Sequence, residues 1–172
     1  MAGAAAHPGV NLIGFATYAN GLGVYTRMVA DLLIAEGVPL NIVPIALRAT
    51  TPAAPKDIEP YLPYLGSEAV HGTNLMVFGG DVGTHWFARM KEPLRIAERH
   101  NVLLPFWELQ EFPDAFLALR DSIQRFVAPT RFIQQGLLRH FDAARVDYLP
   151  TAAMRVPPPR TRHAQAGRPV RF

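Results

Sequence analysis

The apolar positions of the chain switch repeatedly between short unbroken runs and stretches spaced at three and four residues. Residues 10–16, VNLIGFA, form a run short and apolar enough for a strand buried on both faces. From Tyr25 onward, Met28, Val29, Leu32 and Leu33 recur at helical spacing while Arg27, Asp31 and Glu36 fall on other faces. That pattern predicts an amphipathic helix closed by Gly37 and Pro39. Residues 40–46 read as a second buried strand, and the proline-rich residues 50–66 as a long loop holding one short turn of helix. Residues 74–78, NLMVF, make a third strand stopped by Gly79 and Gly80, and residues 82–99 hold one or two helices interrupted at Pro93. A fourth strand follows at 101–107, a helix at 113–123 with Pro113 and Asp114 in its first turn, and a short fifth strand at 126–128. The helix at 130–141 carries Ile133, Leu137 and Phe141 at four-residue spacing, with Thr130 placed to cap it, and residues 146–149 make a sixth strand.

Apolar strands alternating with amphipathic helices predict the α/β class, with a doubly wound, mostly parallel, Rossmann-like sheet covered by helices on both faces. Ligands of such sheets sit beyond the carboxyl ends of the strands. Here those ends fall at residues 18–23, 79–81, 107–111 and 129–130, where glycine and polar residues gather.

Composition supports one globular domain, since 172 residues that are 49% hydrophobic can bury a sizeable core. The expected division is a disordered terminus at 1–8, the α/β domain at 9–154, and a proline- and arginine-rich linker at 155–172. No apolar run reaches the length of a membrane span and the opening MAGAAAHPG lacks the features of a signal peptide. A cytoplasmic protein is therefore expected, and peripheral contact with a membrane is compatible with it. The absence of cysteine excludes disulfides, thiolate metal sites and a cysteine nucleophile.

A pI of about 9.6 suggests nucleic acid as a partner, but Arg155, Arg160, Arg162, Arg168 and Arg171 all lie in the last eighteen residues, which hold no acids. The remainder has 12 basic and 14 acidic side chains, a net of −2. A mildly acidic body offers no face for neutralising many phosphates, so no nucleic-acid partner is expected.

The stretch FATYANGLGVYTR, with Gly21 and Gly23 between a strand and a helix, has the make-up of an anion-binding turn. Two glycines there also simply turn the chain and let a helix pack closely. Thr26 stands where a dinucleotide fingerprint needs its third glycine, no acid lies between Glu36 and Asp57 to hold a ribose, and no lysine follows as in a P-loop. Among carboxylates at the expected cleft edge, Glu108 and Asp81 are the candidates for acid–base or charge-stabilising work, whereas Glu111 and Asp114 suit a first helical turn. His85 follows the Gly79-Gly80-Asp81 turn and could reach the cleft, and Tyr18 and Trp107 could stack on a sugar or base. The six histidines show no pair at helical metal-site spacing, so no metal is expected. No Gly-x-Ser-x-Gly elbow marks a hydrolase.

Taken together, GVNLIGFATYANGLGVYTRMVADLLIAEGVPLNIV, NLMVFGGD, PFWELQEFPDAF and FVAPTRFIQQGL resemble the amino-terminal domain of the group-one, family-four glycosyltransferases of GT-B fold, over residues 9–150. The resemblance implies transfer of a sugar from a nucleotide-sugar donor to a saccharide or lipid-linked acceptor, in polysaccharide biosynthesis, without a metal or other cofactor. It implies that Gly21, Leu22 and Gly23 approach the donor's diphosphate, that Glu108 and Asp81 are the catalytic carboxylates, and that Tyr18, Asn20, His85, Trp107 and Thr130 contact the acceptor. Two places differ from the family pattern: Gly79-Gly80-Asp81 replaces Asn-Ala-Asp, and Gln110 replaces the proline after Trp-Glu-Leu. The family's second, nucleotide-binding domain is expected to follow the linker, so this chain is expected to be inactive alone. A rival expectation is a non-catalytic carbohydrate-binding or assembly module working with a separate partner subunit. A further rival is a nucleotide-binding Rossmann domain of another class, against which Thr26 and the missing acid argue.

Overall fold

The structure, a computed structural model, describes residues 7–46, 51–79, 86–87 and 89–150. Asp81, His85, the first six residues and the expected linker lie outside the described residues.

Among the described residues the chain runs β1 (His7–Gly14), α1 (Gly21–Ala35), β2 (Leu40–Pro44), α2 (Pro55–Ile58), β3 (His71–Gly79), β4 (His100–Phe106), α3 (Asp114–Leu117), β5 (Arg125–Ala128), α4 (Arg131–Leu138) and β6 (Val146–Tyr148). The strands form one sheet in the order β2-β1-β3-β4-β5-β6, with every pair parallel. The expected doubly wound α/β sheet is therefore present. Its strand order reverses between β1 and β3, because β2 is added on one side of β1 and β3 on the other.

Alternation along each strand sends side chains to two cores. Ile13, Val43, Met76, Phe78, Leu103 and Phe126 face one side, packed under Phe112, Phe116, Leu137 and Phe141. Leu12, Ile42, Val77 and Leu104 face the other, under Ala30, Val29 and Ile34 of α1 and under Tyr61. Burial of rings this large supplies most of the driving force for closing the sheet.

Several elements differ from the sequence pattern, each for a local reason. Helix α1 begins at Gly21 rather than near Tyr25, because the Asn20 side chain caps it by accepting from Gly23 N at 2.7 Å. The two glycines thus lie inside the first turn. Its other end matches expectation: Gly37 adopts φ +67, a left-handed conformation that glycine reaches without a Cβ penalty. The helix expected at 113–123 is one α turn followed by a 3-10 turn at Ala118–Asp121. In the expected loop at 50–66, α2 runs on into a 3-10 helix at Glu59–Tyr64, and Leu65 then makes a single parallel bridge to Ile42 on the outer edge of β2. Pro60 and Pro63 lack the N–H groups a longer ladder there would need.

Candidate functional site

In open parallel sheets, the crevice for a ligand forms where the strand order reverses, at the carboxyl ends of the two strands involved. Here these are β1 and β3, held in register by pairs such as Ile13 with Met76. The β1 side of the crevice is the loop at residues 15–20 together with the start of α1.

That loop is braced from three directions. From α1, Arg27 reaches back to donate through Nη1 to Ala16 O at 2.7 Å and Tyr18 O at 3.1 Å. Thr26 accepts from Phe15 N at 3.2 Å while its hydroxyl donates to Leu22 O at 2.7 Å. From residues 51–53, Ala53 N donates to Thr17 O and Ala19 N donates to Thr51 O, forming a short antiparallel ladder around the Tyr18–Pro52 bridge. Within the loop, Tyr18 N donates to Phe15 O. The carbonyls of Phe15, Ala16, Thr17, Tyr18 and Asn20 all accept a hydrogen bond, so the backbone is preorganised.

Arg27, which helical spacing places off the apolar face, is only 9% exposed. The loop folds back over the first turn and supplies carbonyl acceptors where the helical wheel alone places solvent. No carboxylate pairs with it among the described residues.

The glycines serve different ends. A Cβ on Gly23 would lie 2.1 Å from Tyr18 O and 2.8 Å from Phe15 O, so the loop and the helix can meet only at a glycine. Its N–H is engaged by Asn20, which turns Gly23 from a donor toward ligand into part of the loop's frame. At Gly21 a Cβ would meet nothing within 4 Å. The N–H groups of Gly21 and Leu22, the first two of α1, find no acceptor among the described residues. Thr26 explains the lack of a third glycine: close approach of helix to strand is provided instead by Gly14, where a Cβ would lie 2.6 Å from Thr26 Oγ1.

Farther along the carboxyl edge, the segment after β4 is clamped to α4. Trp107 Nε1 donates to Glu111 O at 2.6 Å and its ring stacks on Phe112. Phe112 fits against Gly136, where a Cβ would come within 3.1 Å of its ring. Glu111 binds Arg139 at 2.6 Å and His140 at 3.1 Å. The hydrogen bond from His140, followed by that from Arg139, holds the Glu111 carboxyl below the usual carboxylate range. Glu111, read from sequence as an ordinary helix-start acid, is thus the ionic tie of this segment. Glu108 is exposed. Thr130 is exposed and caps α4 by accepting from Ile133 N at 3.2 Å, as expected.

The fold therefore places Tyr18, Asn20, Gly21, Leu22, Gly23, Trp107, Glu108 and Thr130 along one edge of the sheet, in the lateral order of β1, β4 and β5. Trp107 and Glu108 stand two strand spacings from the glycine turn, roughly 10 Å at the strand ends. Arg27, the brace at 51–53 and Glu111 are the supporting residues that sequence reasoning missed. The one available signal was an arginine directly after Thr26 on a helix opened by glycines. A separate polar cavity of about 380 Å³, lined in part by Lys91, Arg95, Glu98, Asp121 and Gln124, opens at the opposite, amino end of the strands. No group of acids and histidines among the described residues could hold a metal ion, and no described helix is long and apolar enough to cross a membrane.

No protein family, curated protein or solved structure matches the chain.

Proposed function

We propose that this domain is the acceptor-binding half of a GT-B type glycosyltransferase, moving a sugar from a nucleotide-sugar donor to a saccharide or lipid-linked acceptor. The observation that carries the reading is the braced turn at the strand-order reversal, with the Gly21 and Leu22 N–H groups open at the start of a 15-residue helix. The helix dipole adds about half a positive charge there, which suits an anion. As the bond from sugar to diphosphate breaks, negative charge builds on the leaving diphosphate. A preorganised N–H aimed at such charge is typically worth about a hundred- to thousandfold in rate.

On this reading Gly21 and Leu22 meet the diphosphate, while Gly23 shapes the turn. Asn20 spends its Oδ1 on the helix cap, so its Nδ2 is the atom left for an acceptor hydroxyl. Tyr18, Trp107 and Thr130 line the acceptor side, and Glu108, exposed on the same edge, is the catalytic carboxylate. Asp81 and His85 keep the roles that the resemblance gives them. Turnover requires a nucleotide-binding domain or subunit across the cleft, and the nucleotide sugar is a substrate rather than a cofactor.

Titration of the chain with mono- and oligosaccharides, followed by tryptophan fluorescence, tests the acceptor role. Saturable quenching that Trp107→Ala abolishes is expected. Micromolar binding of a nicotinamide dinucleotide, or sugar transfer by the chain alone, would overturn the reading. The second reading, a non-catalytic carbohydrate-binding or assembly module, draws on one observation: the described residues form an apolar core on each face of the sheet. It predicts saccharide binding that a nucleotide-binding partner does not convert into transfer.

A further inference from the structure

Four strands each carry one asparagine: Asn41 in β2, Asn11 in β1, Asn74 in β3 and Asn101 in β4. The strand registers pair Asn11 with Asn41, Asn11 with Asn74, and Asn74 with Asn101, so the four form one row across the sheet. Asn11, Asn74 and Asn101 are 0% exposed and lie on the same face as Ile13, Met76 and Leu103.

The side chains form a directed chain of hydrogen bonds. Asn41 Nδ2 donates to Asn11 Oδ1 at 3.2 Å, Asn11 Nδ2 to Asn74 Oδ1 at 2.9 Å, and Asn74 Nδ2 to Asn101 Oδ1 at 2.9 Å. Asn101 Nδ2 ends the chain on Ile96 O at 2.7 Å and Arg99 O at 3.0 Å. Asn11 Oδ1 also accepts from Val70 N and His71 N, tying β1 to the entry of β3. Aligned amides polarise one another, and a buried amide without a partner is costly.

We infer that this row is a register lock, which fixes the height of β1 against β3 and so keeps the two sides of the crevice level. A slip of one residue moves a strand by about 3.3 Å and turns its side chains to the opposite face. Applied to β3, it would carry Asn74 away from Asn11 and Asn101 and bury its amide on the face of Leu12, Leu104 and Ala30 of α1. Apolar contacts alone do not forbid that slip, since both faces are apolar. The amide row does. The inference stands apart from the proposed sugar transfer, because it concerns the sheet whatever the crevice binds.

Hydrogen exchange of side-chain amides in the ¹⁵N-labelled chain tests the row without any substitution. At least hundredfold slower exchange for Asn11, Asn74 and Asn101 than for a free amide is expected, and rapid exchange at these three would overturn the inference. Asn74→Leu then tests register. A second set of backbone signals confined to β1, β3 and β4 is expected, whereas one set of signals with wild-type melting would contradict the lock. Should that variant not fold, Asn41→Leu at the half-buried end supplies the comparison. It should loosen β2 alone and leave the exchange of Asn74 and Asn101 slow, and faster exchange across the whole row would count against a lock centred on β1 and β3.

Discussion

The carbonyl oxygen of Tyr18 occupies the space in which Gly23 would carry a side chain, 2.1 Å from an ideal Cβ. One backbone contact therefore joins the end of β1 to the first turn of α1, and it separates the roles of two glycines that look equivalent in sequence.

Gly23→Ala should be costly and Gly21→Ala should not. At position 23 the added methyl forces the loop off the helix, an overpacking worth about 2–3 kcal/mol, or a melting temperature lower by roughly 5–10 °C. At position 21 the methyl enters open space, so melting should be unchanged or slightly raised. Thermal unfolding by circular dichroism checks both, and equal effects at the two positions would refute the distinction.

Arg27→Met should destabilise by about 2–4 kcal/mol, because it leaves the carbonyls of Ala16 and Tyr18 without their donor in a buried setting. Arg27→Lys keeps the charge and a donor on a differently shaped stem, and should fall between. Urea unfolding of the three proteins orders them, and a neutral Arg27→Met would show that the brace is dispensable.

Thr130→Ala should cost about 1 kcal/mol through loss of the α4 cap, whereas Thr130→Asp should retain the cap. Comparing their melting temperatures with their saccharide affinities separates capping from acceptor contact. If the Asp variant binds saccharide normally, the hydroxyl is not a ligand group.

The clamp around Trp107 should loosen in acid. The Glu111 carboxyl is held below its unfolded value, first by His140 and then by Arg139. A carboxyl depressed on folding contributes stability that is complete above its unfolded value of about 4.3 and is lost as pH falls through the lower, folded one. Tryptophan fluorescence should therefore change below about pH 4 in the wild type. Glu111→Gln should already show the loosened signal at neutral pH and should lack that transition, and an identical acid transition in this variant would place the cause elsewhere.

Much of this fold is legible in the chain. Runs such as VNLIGFA and NLMVF, ended by glycines or followed by amphipathic stretches, place strands and helices well enough to give the sheet its class. What could not be read depends on contacts between distant segments. The burial of Arg27 follows from a loop folding back on its helix, and no helical wheel contains that loop. One asparagine in each strand reads as a polar interruption, and the four become a row only once the register is known. Gly21 and Gly23 look like a loop because the Asn20 cap that starts the helix before them is a side-chain contact. At the candidate site, the carboxyl-edge positions of Tyr18, Trp107 and Thr130 were legible from strand ends. The supporting tie of Glu111 to Arg139 and His140 was not, because it spans 28 and 29 residues of sequence.

The most direct test of the proposed function is a titration of the ¹⁵N-labelled chain, first with inorganic pyrophosphate and then with nucleoside diphosphate sugars, observed at the backbone amides. The account predicts saturable shifts centred on Gly21 and Leu22 that are larger for the diphosphate sugars and spread toward Trp107. Unmoved signals at Gly21 and Leu22, with or without shifts elsewhere, would contradict it.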